Sequence, residues 1–266
     1  MAATATIGGF GGLLREWRQR RKVSQLELSL DSRISARHIS FVETGRSKPS
    51  RELVLRLADT LEVPLRERNA LLLAAGYAPA YQELPLESER MEPVRGALDR
   101  FLRAHEPYPA LVVDRQHNLL AANDALATIT AGCAEHLLEP PANAIRVALH
   151  PEGMAPRTLN LGEWSAHLIE RLKREAAATG DPALEALRAE VSAYPGVEAD
   201  APAGAGTGDA LFVPLKLREG EAVLSFISTL STFGTAVDIT LSELSVEAFY
   251  PANAQTAARM LGEIAA

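Results

Sequence analysis

The chain has 266 residues, of which 47% are hydrophobic and 23% are charged, a composition that excludes a disordered or fibrous protein and predicts two globular domains. No apolar run approaches the ~20 residues of a membrane helix, the N-terminus lacks the features of a secretory signal, and the lone Cys133 excludes an intrachain disulfide, so we expect a cytoplasmic protein with no membrane partner. The net charge of −7 hides an asymmetry, because residues 1–80 carry 13 Lys and Arg against 8 Asp and Glu, whereas residues 81–266 carry 14 against 26.

The basic first part is predicted to form five short helices. The first helix has an apolar stripe opposite a strongly basic face. Ser24 stands three residues before Glu27, which is the capping-box arrangement that begins a second helix. Ser35 can cap a third helix that Gly45 ends, a fourth is amphipathic, and Pro64 begins the fifth. A basic helical module of this kind is suited to attracting nucleic acid.

The acidic second part mixes helices and strands. Residues 81–92 are polar, acidic and interrupted by proline, so they predict a linker. Residues 93–266 begin with a helix and continue with two short β-type runs around a polar turn. Two longer helical segments follow, and the last three alternating runs predict an antiparallel meander. The expected fold is therefore an all-α domain over residues 1–80 followed by an α+β domain over residues 93–266.

The segment from Ser24 to Ser50 resembles the helix-turn-helix of the XRE, or lambda-repressor-like, transcription regulators, which occur in bacteria. The resemblance is carried by Ser24-Gln25, Ile34, Ile39, Val42, Glu43, Gly45-Arg46 and Pro49-Ser50. It implies that the first domain binds double-stranded DNA. Because one recognition helix covers few base pairs and this fold usually binds paired half-sites, we expect a homodimer.

A helix in the major groove needs polar or basic side chains on its outer face near its N-terminus. The expected base contacts are Ser35, Arg37, His38 and Ser40. Arg37 is the first choice because a guanidinium can donate two parallel hydrogen bonds to guanine, and a phosphate contact is the alternative. The expected contacts to the DNA backbone are Gln25, Arg46, Lys48 and Ser50.

The resemblance also implies a structural salt bridge between Arg18 and Glu43, which would link the first helix to the recognition helix. Phe41 stands where the family often has a polar or basic residue. Packing on the first helix is the preferred interpretation of this residue, and contact with a thymine methyl group is the alternative.

Beyond the helix-turn-helix, the chain resembles the MmyB-like regulators in the phrases PLRERNALLLAAGYAPAY, HEPYPALVVDRQHNLLAAN and HPEG. In these regulators a PAS-like ligand-binding domain follows the XRE domain. The resemblance covers nearly the whole chain and implies a small antiparallel sheet with helices around an apolar cavity for a fatty-acid-like molecule. His117 stands where the family frequently has an aromatic such as Trp.

The alternating apolar runs of the second domain indicate a sheet with one apolar face, and core packing is the alternative to cavity lining for each of these residues. The candidates are the aromatic residues of the second domain, and two arginines are candidate anchors for a carboxylate. The aromatics are Trp164, Phe226, Phe233 and Phe249, and the arginines are Arg146 and Arg157.

An enzyme with an accessory helix-turn-helix is an alternative from another class. Glu163, His167 and Glu170 fall at i, i+4 and i+7, so one helix face could present them to a metal. No HExxH motif or GxSxG elbow accompanies them. We therefore predict no catalysis, no metal and no cofactor. A second domain that serves only dimerisation or partner binding stays open as another alternative.

Overall fold

The computed structural model describes residues 9–198 and 211–263 and separates into two compact units. The first unit contains the described residues up to Glu83 together with Ala177–Thr179 and Ala236–Ser242. The second unit contains the other described residues. No helix in these described ranges is both long and apolar enough to cross a membrane.

The N-terminal part of the first unit is helical, which confirms the predicted all-α domain. Its helices are α1 (Phe10–Arg20), α2 (Gln25–Ser32), α3 (Ala36–Glu43), α4 (Arg51–Thr60) and α5 (Leu65–Ala74). The capping box at the start of α2 is complete, since the Ser24 hydroxyl accepts the Glu27 N–H and the Glu27 carboxylate accepts the Ser24 N–H. Arg33 and Gly45, which follow α2 and α3, have left-handed backbones.

One core joins these five helices. Each helix contributes a leucine or isoleucine that is at most 1% exposed, and burial of such a side chain stabilises the fold by about 1.5–3 kcal/mol. These residues are Leu14, Leu28, Ile39, Leu57 and Leu72. The backbones of α1 and α3 also approach closely, because a Cβ added to Gly11 would lie 2.5 Å from the carbonyl oxygen of Glu43.

The first residues of the predicted linker pack within the first unit. Asn69 on α5 accepts the N–H groups of Ala80 and Tyr81 and donates to the Tyr81 carbonyl at 2.8 Å. Arg66 forms an ion pair with Glu83 at 2.5 Å. Residues 81–83 are therefore tied to α5 by side-chain contacts.

The second unit contains an antiparallel five-stranded sheet, which confirms the predicted α+β class. Its strands have the order β2-β1-β5-β4-β3. They are β1 (Ala110–Val113), β2 (Leu119–Ala122), β3 (Leu215–Glu219), β4 (Ala222–Thr232) and β5 (Ser245–Pro251). The hairpin of β3 and β4 pairs Leu215 with Phe226, and both side chains are buried in the core of this unit.

Helices precede, separate and follow these strands along the chain. Those before β3 are α6 (Glu92–Ala104), α7 (Leu126–Thr130), α8 (Glu135–Leu138), α9 (Ala144–Leu149), α10 (Leu161–Thr179) and α11 (Pro182–Ser192). Two further helices are α12 (Ile239–Ser242), which belongs to the first unit, and α13 (Ala254–Met260). Short 3₁₀ turns occupy Glu89–Met91 and Ala155–Arg157. Cys133 is a free thiol of intermediate exposure.

The alternating pattern of residues 235–249 predicts one strand of the meander. The structure does not form a single strand there. The first half of this segment forms α12 and only its second half forms β5. The Asp238 carboxylate accepts the N–H of Leu241 at 3.2 Å, and the Ile239 N–H donates to the carbonyl of Gln82. This local hydrogen bonding competes with strand pairing, and the apolar alternation cannot reveal it.

Candidate functional site

The outer face of α3 is the first candidate site. Ser35 is the N-cap, and its hydroxyl accepts the His38 N–H at 3.2 Å. Ser35 and Arg37 are exposed, while His38 and Ser40 are partly exposed. The Arg37 guanidinium lies 5.3 Å from the centre of the Phe41 ring, so Phe41 offers a cation–π contact to the arginine. The four predicted base-contact residues thus lie within one and a half turns of α3.

Glu43 at the end of α3 is bound by several donors. Its side chain is 0% exposed and forms a salt bridge with Arg18, with 2.7 Å between Arg18 Nε and Glu43 Oε1. Gln25 Nε2 donates to Oε2 at 2.7 Å, and Arg15 Nε donates to the same oxygen at 3.4 Å. Burial opposes ionisation of Glu43, but these hydrogen bonds and the charge of Arg18 outweigh it and lower the pKa of this carboxyl.

The candidate backbone contacts differ in their surroundings. Arg46 and Lys48 are exposed in the loop after α3, and neither has an ion-pair partner among the described residues. The Ser50 hydroxyl caps α4 by accepting the Leu53 N–H at 3.2 Å. Gln25 uses its amide N–H to hold Glu43, which leaves its carbonyl oxygen for other contacts.

A cavity of about 120 Å³ in the second unit is the second candidate site. Its walls are mainly aliphatic and aromatic and come from the sheet and from helices α7, α9 and α10. Among the lining residues are Leu111, Ile129, Ile145, Trp164, Leu168 and Phe249. An engineered apolar cavity of comparable size, about 150 Å³, takes a benzene molecule, so this volume suits a ligand of roughly that size.

The structure brings together two of the aromatic residues that the sequence suggests for the cavity. Trp164 and Phe249 both line it. Phe226 is fully buried outside the lining and meets Phe249 edge to face, with ring centres 6.4 Å apart. Phe233 is partly buried in the segment between β4 and α12, also outside the lining.

The two candidate carboxylate anchors lie outside the lining. Arg146 forms a two-point ion pair with Glu190, at 2.7 and 2.8 Å. Arg157 donates to the backbone carbonyls of Ala131 and Arg218. Both guanidinium groups therefore hold parts of the protein together, and a helical or loop arginine cannot be matched to a cavity from sequence position alone.

A polar pair that the sequence analysis missed does line the cavity. Arg171 on α10 and Glu247 on β5 are 3.2 Å apart, with side chains 11% and 7% exposed. Glu175, one turn after Arg171, lies 3.8 Å from Arg171 Nε and binds His117 Nε2 at 2.7 Å. The signal was a charged residue in the centre of the apolar strand SVEAF, since charges are almost never buried without a partner.

The three residues considered for a metal site have other roles. Glu163 accepts a hydrogen bond from Asn160, and Glu170 pairs with Lys173 at 3.2 Å. His167 stacks on Trp164, and burial together with the charge of Arg171 lowers its pKa. Within the described ranges, no group of three potential metal ligands occurs.

Comparisons with known proteins match both parts of the chain. Residues 10–71 match a helix-turn-helix domain family, and residues 94–261 match the MmyB-like transcription regulator ligand binding domain. No curated protein matches the chain. A solved structure of an RNA-binding Light-Oxygen-Voltage receptor is similar at 15% identity and a TM-score of 0.28. That match covers 98% of this chain and 64% of the receptor chain, so this chain spans less than two thirds of the receptor.

Proposed function

We propose that this chain, which belongs to the MmyB-like transcription regulators, binds specific sites on double-stranded DNA and changes its DNA affinity when a small apolar molecule enters its cavity. The observation that carries the DNA part is the polar outer face of α3, capped by Ser35 and anchored through Glu43. As a DNA-binding regulator, it would act in the cytoplasm.

The proposed contacts divide into those that specify a sequence and those that position the protein. Arg37 donates to a guanine edge, with Ser35, His38 and Ser40 beside it on α3. Arg46, Lys48 and the hydroxyl of Ser50 contact phosphates directly. The side-chain carbonyl of Gln25 contacts a phosphate through a water molecule. Two copies of the chain would bind half-sites separated by about one helical turn, roughly 10 base pairs.

The proposed effector is a fatty-acid-like molecule with a short apolar part. This follows from the aliphatic and aromatic lining and from the modest volume of about 120 Å³. A ligand alters DNA binding only through its differential affinity for the two conformations, and a typical coupling would change DNA affinity roughly 5- to 150-fold.

The test is reciprocal linkage in the full chain. A DNA site is first selected from random duplexes. Its affinity for the protein is then measured at fixed salt with and without hexanoic or octanoic acid or their esters. Linkage requires the DNA to change ligand affinity by the same factor. A ligand that binds yet leaves DNA affinity unchanged would contradict sensing and favour a second domain that serves dimerisation. Binding of random DNA as tightly as the selected site would contradict the DNA part.

A further inference from the structure

We infer that the cavity selects a neutral ligand that carries a carbonyl oxygen, such as an ester or ketone, over the corresponding free carboxylate. This inference rests on the proposed function and names the ligand class of the same cavity.

Two of the cavity's polar lining residues lie on one face of α10. Trp164 and Arg171 both line the cavity and are seven residues apart, which places them two helical turns and about 10 Å apart along the axis. Leu168 lies between them on the same face. The cavity wall thus offers an apolar stretch bounded by an indole and a guanidinium.

The positive charge of Arg171 is already paired with the carboxylate of Glu247. Its Nη1 and Nη2 atoms donate to both oxygens of Glu247 at 3.2–3.3 Å. A second carboxylate, Glu175, lies 3.8 Å from Nε; burial opposes its ionisation, but the hydrogen bond with His117 and the nearby charges lower its pKa. Burial and the charge of Arg171 lower the pKa of His167, which disfavours a second positive charge near this pair.

An anionic ligand would therefore meet two carboxylates around one guanidinium. At Arg171 Nε the anion would be repelled by Glu175, which lies 3.8 Å from that atom, and by the nearby Glu247. A bond to the other guanidinium nitrogens would displace Glu247 and leave that buried carboxylate without its partner, which is strongly unfavourable. A neutral molecule avoids this cost because the Arg171–Glu247 pair stays intact.

Two donors in the cavity wall favour an acceptor on the ligand. Trp164 Nε1 and Arg171 Nε are both buried, and neither has a hydrogen-bond partner among the described residues. Trp164 is 3% exposed, so water reaches the indole poorly. A carbonyl oxygen accepts a hydrogen bond and brings no donor of its own that needs a partner, whereas an alkane would leave both donors unpaired.

The test compares ligands of nearly equal composition that differ in charge. Hexanoate and methyl pentanoate are matched in atoms apart from one proton, and hexane lacks the oxygens. Their affinities for the full-length protein are measured by calorimetry at pH 7.5. We expect methyl pentanoate to bind roughly tenfold more tightly than hexanoate, because only the anion is repelled by the two carboxylates or has to disrupt the ion pair.

Two variants sharpen the test. Glu247→Gln frees the charge of Arg171 and should reverse the order, so that hexanoate binds more tightly than the ester. Trp164→Phe removes the indole donor and should reduce the preference for the ester over hexane. The matched control is Glu190→Gln, which removes the partner of an arginine outside the cavity and should leave the order unchanged.

Tighter binding of hexanoate than of methyl pentanoate by the wild-type chain would overturn the inference and leave the proposed sensing function standing. Absence of binding by all three compounds would overturn both. If Glu247→Gln fails to fold, as a thermal melt would show, the wild-type ranking and Trp164→Phe still decide the matter.

Discussion

Each unit buries a glutamate against an arginine, Glu43 with Arg18 in the first and Glu247 with Arg171 in the second. In the first unit, Arg18, Gln25 and Arg15 all donate to Glu43. The second pair lines a cavity, and its Arg171 Nε has no hydrogen-bond partner among the described residues.

This difference distinguishes a structural ion pair from an ion pair at a binding site. Both cost desolvation energy, and burial alone does not distinguish them. The distinguishing features are adjacent empty space and donors left over after the internal bonds are made. By this criterion Glu43 has the features of a structural residue that fixes the position of α3, whereas Arg171 has the features expected of the proposed binding site.

The largest expected effect breaks the first pair. Arg18→Ala leaves Glu43 buried with its strongest donor removed and should destabilise the first unit by about 3–5 kcal/mol. Because the chain has two tryptophans, denaturant unfolding followed by Trp17 fluorescence in a Trp164→Phe background reports on this unit. The control Glu16→Ala loses an exposed pair with Arg20 and should cost at most about 1 kcal/mol. Equal losses would contradict a special role for Glu43.

A smaller effect tests the close approach of α1 to the backbone of Glu43. Gly11→Ala places a Cβ 2.5 Å from the carbonyl oxygen of Glu43 and should cost about 1–3 kcal/mol through displacement of α1. Gly12→Ala is the matched control, since a Cβ there meets nothing within 4 Å and alanine favours a helix. The same unfolding assay should therefore show Gly12→Ala as neutral or stabilising. A destabilised Gly12→Ala together with an unaffected Gly11→Ala would refute the close contact.

The function of the anchored face gives a third prediction. Arg37→Ala should cost about 1–3 kcal/mol on the selected DNA site and relax the preference at one base pair. Lys48→Ala should weaken binding to all duplexes alike and lower the salt slope by about one unit. Competition titrations on specific and random DNA measure both. If both variants lost equal affinity on the two DNAs, the division into specifying and positioning contacts would be wrong.

The smallest expected effect concerns the second pair. Simultaneous Arg171→Met and Glu247→Leu replacement should change the stability of the second unit by about 1 kcal/mol or less, because apolar residues of similar volume substitute well for a buried ion pair. Arg171→Met alone should be clearly more destabilising, since it leaves Glu247 unpaired. Trp164 fluorescence in a Trp17→Phe background follows the unfolding. A double variant as unstable as the single one would assign this pair a structural role like that of Glu43.

Features with local signals could be predicted from the amino-acid sequence. The capping box of Ser24 and Glu27 joins residues three apart, so its presence could be predicted together with the start of α2. The stop at Gly45 depends on the conformation of one residue. The motif from Ser24 to Ser50 likewise lies in one continuous segment, and the resemblance could therefore predict the helix-turn-helix that the family match shows.

Contacts between residues far apart in the sequence depend on the tertiary structure. Arg171 and Glu247 are 76 positions apart on a helix and a strand, and no periodicity within either element names the other as its partner. Arg146 and Arg157 looked equally suitable as anchors, yet folding directs one to Glu190 and the other to backbone carbonyls. The physical reason is that a buried charge is placed by the path of the whole chain, because it is stable only where a partner from another element reaches it.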